Sequence, residues 1–111
     1  MNHQLVADED VEKALDWLRD NAAAIGEAKR EAVKAEHMLK HHRAVAMKVS
    51  GENAVSAQER EAFASATYKE AIETTANAAG RYEEMKALRE AAALKIETWR
   101  SASANYRAMK I

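Results

Sequence analysis

The chain has no proline and no cysteine, and only three glycines among its 111 residues. Without proline nothing forces a helix to stop, and without cysteine there is neither a disulfide framework nor thiolate chemistry. Aromatics are few: two Trp, three Tyr and one Phe. The longest apolar runs, such as Ala91 to Leu94, fall far short of a bilayer span, and the acidic N-terminus has no basic region or apolar core of a signal peptide. These absences lead us to expect a soluble, cytoplasmic protein with no membrane segment. The net charge of −1 gives no overall field towards nucleic acid or anionic lipid.

What is abundant is alanine, together with Glu, Lys and Arg, the composition of long amphipathic helices. At this length the chain forms a single domain, 1–111, with little room for an enzyme cleft. From Val11 a seven-residue series runs Val11, Leu18, Ile25, Ala32, Leu39, Ala46. A second series, Ala14, Asn21, Ala28, Ala35, His42, Val49, supplies the small partner positions, and Leu15 and Ala22 widen the stripe. They predict a first helix of about 9–49, with Asp8 as its N-cap and a short arm, 1–7, before it.

Ser50-Gly51-Glu52-Asn53-Ala54-Val55 is the convincing break, a turn at 50–55. Beyond it, Ser56 and Glu59 have the spacing of a capping box. A second helix, about 57–109, then carries Ala64, Tyr68, Ala71, Thr75, Ala78, Tyr82, Met85, Ala92, Ile96, Trp99, Ser103 and Tyr106 in steps of three and four, slipping only where Leu88 and Arg89 share one step, a coiled-coil type seam. Two long helices joined by a short turn run antiparallel, so the predicted fold is an all-α helical hairpin. With the turn centred near residue 53, position i faces position 106 minus i. Gly26 and Gly80 then oppose each other among alanines, which predicts a narrow waist, and Leu18 packs near Leu88.

Charge supports that pairing. Residues 1–20 carry six acids and two bases, and their expected partners, 86–111, carry six bases and two acids. Residues 29–48, with six bases and two acids, face 58–77, with four acids and two bases. Each surface pair is weak, but slipped or parallel pairings would oppose like charges.

The second helix is apolar nearly all round from Ala87 to Ala104, more than one seam buries. Ala87, Ala91, Leu94 and Thr98 form a strip roughly opposite the seam. Either the N-terminal arm covers it or a second copy does, and the reading adopted is a homodimer forming a coiled-coil-like four-helix bundle.

Chemistry is harder to find. His37 and His41 stand one turn apart with Glu36 close by, but Ser65 and Lys69, expected opposite, are poor ligands, so we read no metal site and no cofactor. The carboxylates are not paired for acid–base work, and no phosphate loop, nucleophile motif or zinc-protease signature appears, so the chain reads as no enzyme. Basic residues offer a binding alternative. Lys29, Lys34, Lys40 and Lys48 on the first helix, and Lys95, Arg100, Arg107 and Lys110 on the second, the latter among Trp99 and Tyr106, are possible nucleic-acid contacts. Against that, Trp99 and Tyr106 sit on the seam, where an aromatic is more often core, and the bases face the acidic N-terminal turns.

Two stretches, QEREAFASATYKEAIE and AAALKIETWRSASANYR, carry a resemblance. Through Arg60, Glu61, Ala62, Ala64, Tyr68, Ile96, Glu97, Trp99, Arg100, Ser101, Ala104 and Arg107 the chain resembles small all-helical accessory proteins of tailed bacteriophages and prophages, most specifically in the Trp99-Arg100-Ser101 ending. The resemblance implies a host-cell cytoplasmic setting and no catalytic residues. It also implies protein–protein interaction, with DNA replication or recombination machinery as the surroundings. Direct single-stranded nucleic-acid binding through the basic faces is the alternative.

Overall fold

A computed structural model describes residues 5–109. Its helices are α1 (Asp8–Lys48), α2 (Val55–Phe63) and α3 (Ala66–Met109), and no strand occurs among the described residues. The chain divides into two compact units. Unit 1 draws on the chain up to Ile25 and from Glu84 onward, and unit 2 is Gly26–Glu83. Helices α1 and α3 each contribute to both.

α1 begins at Asp8, the expected cap itself, one residue earlier than predicted. The Ala7 carbonyl accepts the Asp10 and Val11 amides, and the Asp10 carboxylate accepts the Ala7 N–H at 3.1 Å. Asp8 therefore lies inside the first turn, where Asp8, Glu9 and Asp10 complement the helix dipole. At the other end Gly51 adopts a left-handed φ of 79°, the conformation that a turn after a helix C-terminus asks of glycine.

The predicted second helix is two helices. α2 starts at Val55 after Ala54, whose side chain caps nothing, so the Ser56–Glu59 box does not form. Glu59 instead accepts a hydrogen bond from Arg43 at 2.9 Å. The helix stops at Phe63, and Ser65 restarts it: its hydroxyl donates to the Ala62 carbonyl at 2.7 Å and accepts the Tyr68 amide at 3.2 Å. That is a serine N-cap acting on the third residue of α3, strong enough to interrupt a sequence with no other helix breaker.

The seam is where the periodicity puts it. In unit 1 Val11, Ala14, Ile25 and Ala92 are buried, with Leu18, Asn21, Met85, Ile96, Trp99 and Ser103 half-buried. In unit 2 Ala28, Ala35, Ala62 and Ala71 are buried, with Ala32, Leu39, Tyr68, Thr75, Ala78 and Tyr82 half-buried. Ala64 and Tyr106, at the ends of the predicted seam, are exposed, as are Leu15, Ala22, Val49 and Leu88. Six of the eight buried residues are alanines, so backbone proximity rather than large side chains makes the core.

Side chains that cross the seam test the register. Arg43 lies over the Phe63 ring at 5.2 Å, and Trp99 donates to Asp8 at 2.7 Å, each within one residue of the expected partner. Thr75 donates to the Ala35 carbonyl at 3.2 Å, four residues beyond Ala71, the position expected to face it. The glycine waist is not there. A Cβ on Gly26 or Gly80 would meet open space, and both residues are exposed. Each stands two residues from a seam position, Ala28 or Tyr82, and at about 100° per residue that turns it to the opposite side of its helix.

Candidate functional site

In unit 1 the C-terminal part of α3 presents both predicted surfaces. Ala87 and Ala91 are exposed, Leu94 is 67 % exposed, and Thr98, nearer the seam, is half-buried. Helical spacing keeps the four on one strip, of which Ala87, Ala91 and Leu94 are open to solvent.

On the same stretch, Arg100 and Arg107 share an open groove of about 450 Å³ with Glu97, Trp99, Ser101, Ser103 and Ala104. Arg100 is tied to Glu97 at 3.4 Å, and both side chains are mostly exposed. Trp99, half-buried, is engaged through its indole N–H with Asp8, so it serves the fold before any stacking. Lys95 is exposed, and Lys110 lies outside the described residues.

The four α1 lysines do not make one patch. Lys29 sits over the Tyr82 ring at 5.1 Å. Lys40, eleven residues on, shares its side of the helix, whereas Lys34 and Lys48, fourteen apart, share another. Lys34, Lys40 and Lys48 are exposed.

In unit 2 a groove of about 240 Å³ runs along the α1–α3 seam. Ala35 and Ala71 floor it, Met38 and His42 line it from α1, and Thr67, Glu70 and Thr74 line it from α3. His42 meets His41 edge-on at 5.9 Å, while His37 and His41 face solvent. Among the described residues no three His, Asp or Glu side chains gather closely enough to hold a metal ion.

Sequence reasoning did not find the cluster beside the turn. Arg43 joins Glu59 of α2 and the Phe63 ring, which stands edge-on to Tyr68 at 5.3 Å, and the Arg43 Nε is buried without a hydrogen-bond partner. Its only sequence signal was a basic residue opposite an acidic one, which many positions share. The groups with shifted pKa values, Arg19, Glu27 and Arg30, lie elsewhere on α1. A hydrogen bond from Arg30 holds the Glu27 carboxyl below its ordinary range, and the same contact raises Arg30. A hydrogen bond to Asp20 raises Arg19. The two pairs stand largely in solvent and brace a helix surface rather than tune a reaction.

No helix among the described residues is long and apolar enough to cross a membrane. No family model, curated protein or solved structure significantly matches the chain.

Proposed function

We propose that the chain is a non-enzymatic helical accessory protein of the phage or prophage type, acting by protein–protein interaction and self-associating as a homodimer. The observation that carries this reading is the strip of Ala87, Ala91, Leu94 and Thr98, with Leu94 67 % exposed on a helix whose other face is already committed to the seam. A twofold partner presenting the same strip covers both copies at once and completes a four-helix bundle. Partners from DNA replication or recombination are the setting that the resemblance implies. Burying Leu94 is worth about 2 kcal/mol per protomer by area. Changing Leu94 to Glu should therefore abolish dimers in sedimentation while leaving helix content intact. A parent that stays monomeric at about 100 µM, or a variant that dimerises unchanged, rejects the strip as the dimer contact.

A second reading, direct binding of single-stranded nucleic acid, draws on the groove that joins Arg100 and Arg107 beside Trp99. Affinity for labelled single strand that falls steeply with added salt supports it, and salt-insensitive or absent binding counts against it.

A further inference from the structure

The groove in unit 2 is bounded by unlike rims. On the α1 side Val45, seven residues beyond Met38, continues the apolar edge. Met38 is 38 % and Val45 44 % exposed. Outside that edge Lys34, His41 and Lys48 follow one another at sevens, which keeps them in one exposed row. Glu27 and Glu31, earlier on α1, are held by Arg30 and bring no unpaired negative charge to this rim. On the α3 side Glu70 lines the groove, and Glu73, three residues on and exposed, adjoins it on the helix surface. Lys34, Lys48, Glu70 and Glu73 make no ion pair among the described residues.

A face with a cationic rim on one helix, an anionic rim on the other and partly exposed apolar groups between them is complementary to itself. A twofold axis parallel to the helices keeps each residue at its own level along the pair and lays the α1 rim of one copy over the α3 rim of its partner, so Lys34, level with about position 72, meets Glu70 and Glu73 twice. A twofold axis across the helices would set the lysine row against itself, which like-charge repulsion disfavours. We propose that a second copy of this chain docks on the unit 2 groove in the first arrangement, α1 against the partner's α3, covering Met38 and Val45. This rests on the self-association read above and adds to it a contact in a different unit, with the charge pattern fixing which helices meet.

The test is sedimentation of the full chain at several concentrations, with circular dichroism to confirm the fold. Lys34→Glu should raise the dimer dissociation constant on the order of tenfold, because both copies of its contacts become repulsive. Glu70→Lys with Glu73→Lys should do the same. All three substitutions in one chain restore opposite rims, and the dissociation constant should return to within roughly threefold of the parent's. Unchanged association in the Lys34 variant and in the Glu70 and Glu73 variant, or a combined variant worse than either, overturns the groove contact. If Leu94→Glu is silent while the rim variants act, the strip fails and the groove stands. If Leu94→Glu abolishes dimers while the rim variants are silent, the groove fails and the strip stands. A parent that stays monomeric at about 100 µM overturns both and leaves the groove to a helix of some other protein.

Discussion

The two units use the same pair of long helices and are tied in different ways. In unit 1 the residues buried along the seam are Val11, Ala14, Ile25 and Ala92, and a polar tie across it runs from Trp99 to Asp8. In unit 2 the buried residues are all alanines, while Thr75, Arg43 and Lys29 each reach across to Ala35, Glu59 and Tyr82. A seam of methyl groups gains little from one register over the next, because each methyl packs about as well on its neighbour's site. Directional contacts make the choice, since a hydrogen bond or ring contact is lost by a shift of one turn. Unit 2 holds its alanines together by such ties, and unit 1 relies more on Val11 and Ile25 as larger knobs.

The strongest way to break this comparison is to overfill both seams. Ala28, 1 % exposed, becomes Leu in unit 2, and Ala14, 6 % exposed, becomes Leu in unit 1. Overpacking costs about 1–3 kcal/mol, and the cost grows when the surroundings cannot yield. With Thr75 and Lys29 bracing unit 2, Ala28→Leu should fall at the upper end and Ala14→Leu at the lower, in denaturant unfolding. Equal costs would mean that the polar ties do not fix the helix spacing.

A smaller effect should come from Ser65→Ala. Losing the hydroxyl that serves the Tyr68 amide costs about 1 kcal/mol, and alanine's better helix propensity returns roughly half of that. The expected net loss is therefore on the order of half a kcal/mol, with helix content unchanged. A variant more stable than the parent would show that the interruption between α2 and α3 is imposed on the chain rather than held by this cap.

The same serine shows where reading the sequence worked and where it did not. The seam was legible because a period of three and four survives any uncertainty about partners, and apart from Leu15, Ala22, Val49 and Ala64 the residues of that pattern from Val11 to Ser103 are buried or half-buried. Ser56 and Ser65 are both residue types suited to capping, but only Ser56 has a Glu three places on, the spacing of a capping box. Glu59 is instead taken by Arg43, a contact sixteen residues away in sequence that no local pattern encodes. The glycines misled for a different reason. Counting across the turn placed Gly26 and Gly80 opposite each other but ignored their azimuth, which turns both outward. Of the candidate surfaces, the Leu94 strip could be read from one helix alone. The groove at Met38 and Glu70 could not, since it exists only once α1 and α3 are set side by side.

The smallest effect belongs to the ion pairs within single helices, which both units carry and which cross no seam. Glu27 accepts from Arg30 at 2.7 Å and 3.0 Å, and that hydrogen bonding lowers the Glu27 pKa from its ordinary 4.5, with desolvation pulling the other way. A carboxyl whose folded-state pKa is lowered favours the fold above its unfolded value, and that contribution disappears as the pH falls through the folded value. Both side chains are at least half exposed, so solvent screens the pair. Glu27→Gln should therefore lower the melting temperature slightly near pH 7, by an amount that shrinks as the pH falls below the ordinary carboxylate range. A difference that does not change with pH would trace the effect to packing rather than charge. One that exceeds the Ser65→Ala effect would mean that surface pairs, rather than caps and cross-seam ties, set the stability of unit 2.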